Sequence, residues 1–97
     1  ILFLFILLFS YAALADAKFD LGSKVYTNKA MCGSCHTLKS ASSKGDIGPN
    51  FDHLKPKISQ IVLAVKNGIG VMPQFEGILT TEEIEAVAYY VFKSTNK

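Results

Sequence analysis

The 97-residue chain contains no arginine and no run of basic residues, so it lacks the electrostatic footprint of a nucleic-acid-binding protein. No stretch alternates apolar and polar residues as a half-buried strand does, no segment repeats, and no glycine-rich loop offers its amides to a phosphate. A sheet-based domain, a solenoid and a phosphate-cradling fold are thereby set aside. Cysteine, histidine and methionine are scarce, with two of each. Both cysteines and one histidine nevertheless crowd into Met31-Cys32-Gly33-Ser34-Cys35-His36. Three chemistries use such a cluster: a redox dithiol, a metal site or a covalently attached haem.

The chain opens with ILFLFILLFSYAALA, fifteen residues without a charge. An apolar core followed by Ala13-Leu14-Ala15 is the pattern of a secretory signal cut before Asp16, because the peptidase pocket admits only small side chains. The initiator Met and a basic leader are missing, so the signal reads as truncated at its start. The alternative is an uncleaved anchor, although a bilayer span needs about 20 apolar residues. Either way the chain is expected to be exported. Residues 16–97 then form one small domain, whose apolar core is marginal and calls for a staple, metal or cofactor. A disulfide between Cys32 and Cys35 closes too short a loop to constrain the unfolded chain much.

After residue 15 the pattern is helical, with long loops. Asp16 to Lys29 carries Phe19, Val25 and Tyr26, and Gly22 stands one turn before Tyr26, where a second helix can approach. Residues 37–56 show no sustained period and are read as a long loop. Ile58 to Asn67 places Ile58, Ile61, Val62 and Val65 on one face, with Gly68 as the C-cap. A second loop covers residues 68–77. Thr80 and Glu83 then form a capping box ahead of Ile84, Val87, Ala88, Val91 and Phe92, the clearest amphipathic helix of the chain. The fold class is all-α.

Cys32-Gly33-Ser34-Cys35-His36 is C-x-x-C-H, the attachment pattern of a c-type haem. Two thiols three positions apart reach the two vinyl groups of one porphyrin, and the adjacent His36 can turn its imidazole to the iron. A dithiol motif belongs beside a βαβ unit, and a tetrahedral zinc site wants four ligands at workable spacing. His36 and His53 are too far apart for a zinc pair. A haem iron held by His36 needs a sixth ligand or keeps a reactive open position. Met31 adjoins Cys32 and cannot easily reach the other face. Met72 lies in the second loop next to Pro73, whose fixed φ stiffens the presentation of the sulfur. Met72 is therefore the first candidate and His53, read as an exposed loop histidine, the second.

C-G-S-C-H, then G-P-N-F-D, N-G-I-G-V-M-P-Q-F and L-T-T-E-E-I-E-A-V-A-Y-Y-V-F-K, in that order, resemble a class I monohaem cytochrome c of the short bacterial and photosynthetic type. The resemblance covers residues 16–97. It implies a small cytochrome c fold, with three to five helices wrapped around one haem c bound covalently through Cys32 and Cys35. It also implies axial bonds from His36 and Met72, and a Pro49 carbonyl that accepts the His36 Nδ1–H bond. Gly22 and Tyr26 match the positions where the first helix crosses the last near Tyr89 and Tyr90. Phe51 stands where leucine is common, which is read as a small change in packing.

The implied function is one-electron transport without catalysis, in the periplasm or, in a photosynthetic source, the thylakoid lumen. Partners are redox proteins met transiently at the exposed haem edge, with membrane contact only if the first segment is uncleaved. A haem c subunit or anchored relay of a larger enzyme is the alternative, and a haem peroxidase a remoter one. Eight lysines lie between positions 18 and 66, whereas residues 76–85 carry Glu76, Glu82, Glu83 and Glu85 and no base. Lys39, Lys44, Lys55 and Lys57 are expected around the docking face. The formal charge is only +2, and haem propionates would reduce it further. An apolar patch at the haem edge should therefore matter more than long-range steering.

Overall fold

The computed structural model describes residues 2–97, with side chains from Ala12 onward. Helix α1 (Leu2–Lys24) widens at its end into a five-residue π turn, Val25–Lys29, and a 3₁₀ turn follows over Cys32–Ser34. Two-residue strands β1 (Thr37–Leu38) and β2 (Ser43–Lys44) come next, then helices α2 (Phe51–Leu54), α3 (Ile58–Asn67) and α4 (Thr81–Thr95). Four α-helices make the architecture all-α, as expected. The segment expected to serve as an export signal falls largely on residues 1–11, which lie outside the described side chains. The backbone runs as one helix from Leu2 through the expected cleavage point. Among the described residues, no helix is long and apolar enough to cross a membrane.

The frame is the crossing of α1 over α4. Gly22 is buried there, and a Cβ on it would overlap the Ala86 carbonyl and lie 2.6 Å from Tyr90 Cβ. Only glycine lets the two backbones come this close. Tyr26, 1 % exposed, packs its ring against Tyr90 at a centroid distance of 5.6 Å. Tyr89 is half-buried and also meets α1, with the Lys18 ammonium 5.3 Å from its ring. On α4 the expected stripe Ile84, Val87, Ala88 and Val91 is buried, and Phe92 is half-buried. Full burial of a Val or Leu side chain is worth roughly 1.5–3 kcal/mol, so this seam supplies much of the apolar stabilisation. The Thr80–Glu83 capping box forms in both directions: Glu83 N–H donates to Thr80 Oγ1 at 3.1 Å, and Thr80 N–H to Glu83 Oε1 at 2.9 Å.

Three expectations are corrected. Residues 37–56 are not one long loop. In β1 and β2, Thr37 pairs with Lys44 and Leu38 with Ser43, and α2 follows. These elements escape a periodicity reading because side chain to backbone bonds set them: Asn50 Oδ1 caps α2 by accepting from Asp52 N–H at 2.9 Å and His53 N–H at 3.3 Å. Ile58, at the first turn of α3, is 38 % exposed, while Ile61 and Val65 carry the buried face. Phe51 does more than fill a leucine site, as its contacts below show.

Candidate haem site

A cavity of about 390 Å³, within the range of small-molecule sites, is lined by two stretches of chain, 30–49 and 69–75. Cys32, Cys35 and His36 come from the first stretch and Met72 from the second. Most of the remaining lining is apolar. The 3₁₀ turn explains how the first stretch folds: Cys35 N–H and His36 N–H both donate to the Cys32 carbonyl, at 3.1 and 3.0 Å. That closure brings the two thiols and the imidazole onto one short loop.

His36 is 7 % exposed, and its Nδ1–H donates to the Pro49 carbonyl at 2.8 Å. A carbonyl can only accept, so this bond places the proton on Nδ1 and leaves the Nε2 lone pair for a metal. The expected Pro49 contact is present. Phe51 stacks on the imidazole at 4.2 Å between centroids and 16° between planes, and meets Tyr26 edge-on at 6.4 Å. Gly48 donates its N–H to the Cys35 carbonyl at 2.7 Å. A Cβ on Gly48 would lie 2.7 Å from His36 Nδ1 and closer still to Cε1, so only glycine leaves the ring its place.

Burial pushes the Cys32 thiol up to about 11. A redox dithiol needs a low thiol pKa for its nucleophile, and this site supplies the reverse. Among the described residues, no three His, Cys, Asp or Glu side chains gather to hold a metal ion. The cavity size, the apolar lining, the paired thiols and the prepared imidazole all fit a covalent haem.

Met72 is half-buried and packs on the edge of the core. Its segment closes on itself, with Met72 N–H donating to Ile69 O at 2.9 Å and Ile69 N–H to Met72 O at 3.1 Å. Phe75 and Glu76 N–H then satisfy the last carbonyls of α3, Val65 and Lys66, at 2.8 and 3.3 Å. Gly68 has φ +74°, and a Cβ there would sit 2.8 Å from both Met72 O and Gln74 N. His53 is exposed and outside the lining, whereas Met31 lines the cavity in a left-handed conformation, φ 52°.

Phe51 and Gly48 carry functional contacts that a sequence reading passes over. The adjacency of Gly48 to Pro49 was a usable signal, whereas the pairing of Phe51 with a histidine fifteen positions away had none. The rim of the cavity includes Ile47, Ile69 and Val71, which are 67, 70 and 86 % exposed. Lys39, Lys44, Lys55 and Lys57 are exposed too, but none of the four is among the lining residues. The part of the lining that reaches the rim is apolar.

A family model described as Cytochrome C oxidase, cbb3-type, subunit III matches residues 17–91. The chain is 34 % identical over 87 residues to cytochrome c6 of Leptolyngbya boryana, covering 86 % of this chain and 98 % of that one. It is 36 % identical over 93 residues to the chloroplastic cytochrome c6 of Chlamydomonas reinhardtii, covering 84 % of this chain and 58 % of that relative's length. The crystal structure of the c-type cytochrome SorU from Sinorhizobium meliloti superposes with a TM-score of 0.79 at 46 % identity, over 84 % of this chain and 95 % of that one. One covalent haem c on the Cys32, Cys35 and His36 motif, and one-electron transport as its use, follow from the family. The chain belongs to the small class I monohaem cytochromes c.

Proposed function

We propose that Cys32 and Cys35 carry the two thioethers, that His36 Nε2 and the Met72 sulfur are the axial ligands, and that the protein is an exported electron carrier. Residues 1–15 direct that export and are removed. The observation that carries this reading is the prepared imidazole of His36, bonded through Nδ1 to Pro49 and sharing one apolar cavity with Met72. When bound, haem supplies a one-electron Fe(III)/Fe(II) couple. The Pro49 carbonyl orients His36 and strengthens it as a donor. Met72 brings a soft sulfur that favours the ferrous state, and the apolar lining keeps water and counter-charge away. If His36 and Met72 both held the iron, no open position would remain for a substrate, and the chain would act as a carrier rather than an enzyme. Redox proteins meet it transiently at the apolar rim of Ile47, Ile69 and Val71.

The test is the purified holoprotein. Haem should survive acid–acetone extraction, and the reduced protein should refuse carbon monoxide at neutral pH. Met72→Ala should admit carbon monoxide and acquire weak peroxidase activity, while Met72→His should stay low-spin at a lower reduction potential. Each 59 mV of that change is tenfold in the equilibrium constant of a one-electron couple. A Met72→Ala protein with an unchanged spectrum and potential would remove Met72 from the site.

A second reading, a relay held inside a larger complex, draws on the match to an oxidase subunit and on the unbroken course of α1. The mass of the mature N-terminus separates the two: a chain beginning at Asp16 favours the free carrier.

A further inference from the structure

The haem-attachment turn rests on a hydrogen-bonded node outside the five motif residues. Ser43, in β2, lies beneath Gly33, the second residue of the motif. A Cβ on Gly33 would come within 2.6 Å of Ser43 Cβ and 3.5 Å of Tyr26 Cε1, so no side chain separates the turn from these two residues. Ser43 Oγ accepts from Leu38 N–H at 3.0 Å, pairs with Tyr26 OH at 2.8 Å, and has the Leu38 carbonyl 3.4 Å away. Those contacts use the one donor and both lone pairs of a serine hydroxyl. Burial pushes the Tyr26 hydroxyl up to about 12 despite the opposing pull of this bond, so it keeps its proton at any working pH.

Tyr26 connects this node to the other end of the motif. Its ring meets Phe51 edge-on at 6.4 Å, and Phe51 stacks on His36 at 4.2 Å. A continuous line of contact therefore runs from Ser43 through Tyr26 and Phe51 to the imidazole. The Ser43 bond holds the Tyr26 ring along its long axis, and the Phe51 ring lies edge-on against it.

We propose that Ser43 and Tyr26 are positioning residues for the haem ligands: their hydroxyl pair sets the height of the Cys32–Cys35 turn and, through Phe51, the plane of the His36 ring. The inference rests on the reading that His36 ligates a haem carried by Cys32 and Cys35. It adds two residues that touch neither the iron nor a thioether.

The experiment compares wild type, Ser43→Ala, Tyr26→Phe and the double variant as ferric holoproteins. EPR g-values of a low-spin haem depend on the plane of the axial imidazole, because that plane decides which iron d orbital is raised. Both single variants should shift the g-values and the midpoint potential in the same direction, and the double variant should shift them no further than Ser43→Ala alone, since the Tyr26–Ser43 bond is lost in all three and Ser43→Ala also gives up the Leu38 contacts. Tyr26→Phe keeps the buried ring, so it remains informative if Ser43→Ala folds poorly. Wild-type g-values and potential in the single variants, whatever their melting temperatures, would overturn the proposal, as would additive shifts in the double variant. Wild-type protein whose haem extracts into acid–acetone would instead refute the attachment on which the proposal rests.

Discussion

The two stretches that line the cavity are built on different principles. Residues 30–49 add side-chain anchors to their backbone bonds: His36 is bonded to Pro49, stacked on Phe51 and hemmed in by Gly48, and the turn before it rests on Ser43. Residues 69–75 are fixed by backbone: the reciprocal Ile69–Met72 pair, the Phe75 and Glu76 amides on the end of α3, and positive φ at Gly68 and Gly70. Val71 in this second stretch is 86 % exposed, whereas His36 in the first is 7 %. The imidazole is held by several side chains at once, and the Met72 sulfur is presented by a turn that only Met72 and Phe75 tie to the edge of the core. Perturbation should therefore reach Met72 long before it reaches His36.

The largest effect should come from crowding the first stretch. Gly48→Ala drives a methyl into the imidazole, and overpacking of a well-packed site costs about 1–3 kcal/mol, occasionally more. The haem-to-protein ratio of purified material should fall sharply, since the ring cannot hold both its Pro49 bond and its place. A Gly48→Ala protein that loads haem fully would mean that this stretch yields more than its contacts imply.

Gly68→Ala tests the second stretch. With φ 74° and ψ 166° Gly68 sits in a region essentially confined to glycine, where a side chain costs about 1–3 kcal/mol, and the new methyl meets Met72 O and Gln74 N. Haem content should stay near wild type while the reduced protein begins to bind carbon monoxide at neutral pH. If haem loading fell as far as in Gly48→Ala, the contrast between the two stretches would be lost.

The smallest effect concerns the exposed tie between Lys29 and Glu83, whose Nζ and Oε2 lie 2.6 Å apart. The Lys29 ammonium, and then the Thr80 N–H, hold the Glu83 carboxyl below its ordinary value of 4.5. A carboxylate lowered in the folded state adds stability above the unfolded value and loses it as pH falls through the folded one. Lys29→Met should therefore flatten the acid limb of the melting temperature against pH, below about pH 5, and leave the potential alone. An unchanged acid limb would show that the tie contributes nothing.

What was legible in the sequence is what is local. C-x-x-C-H, the Thr80–Glu83 box and the stripe of α4 are written within a few residues of one another, and the structure contains each of them. Gly22 marked a place where some helix could approach, and the resemblance to the family supplied α4 as that helix. The interior of residues 37–56 was not legible, since its turns are held by Thr37 Oγ1 on the Gly45 carbonyl, Lys39 N–H on Asp52 and Asn50 on α2. Such bonds leave no apolar period to read. The stacking of Phe51 on His36 was hidden for a related reason, because nothing in either residue's neighbourhood announces the other.

The π turn at the end of α1 gives the linkage to the attachment motif a fixed angular phase. Ala30 N–H reaches back five residues to the Val25 carbonyl, at 2.8 Å, where a regular helix would reach back four. The extra residue per turn offsets everything downstream by about 100° of rotation and 1.5 Å of rise relative to an unbroken α-helix. Tyr26, within the turn, is buried in the core, and Cys32, beyond it, lines the cavity. Thr27 and Asn28 are exposed within the turn, so core packing constrains their number more than their identities. Deleting either would swing the thiols out of phase with the imidazole's Pro49 anchor, although every chemically active residue would still be present.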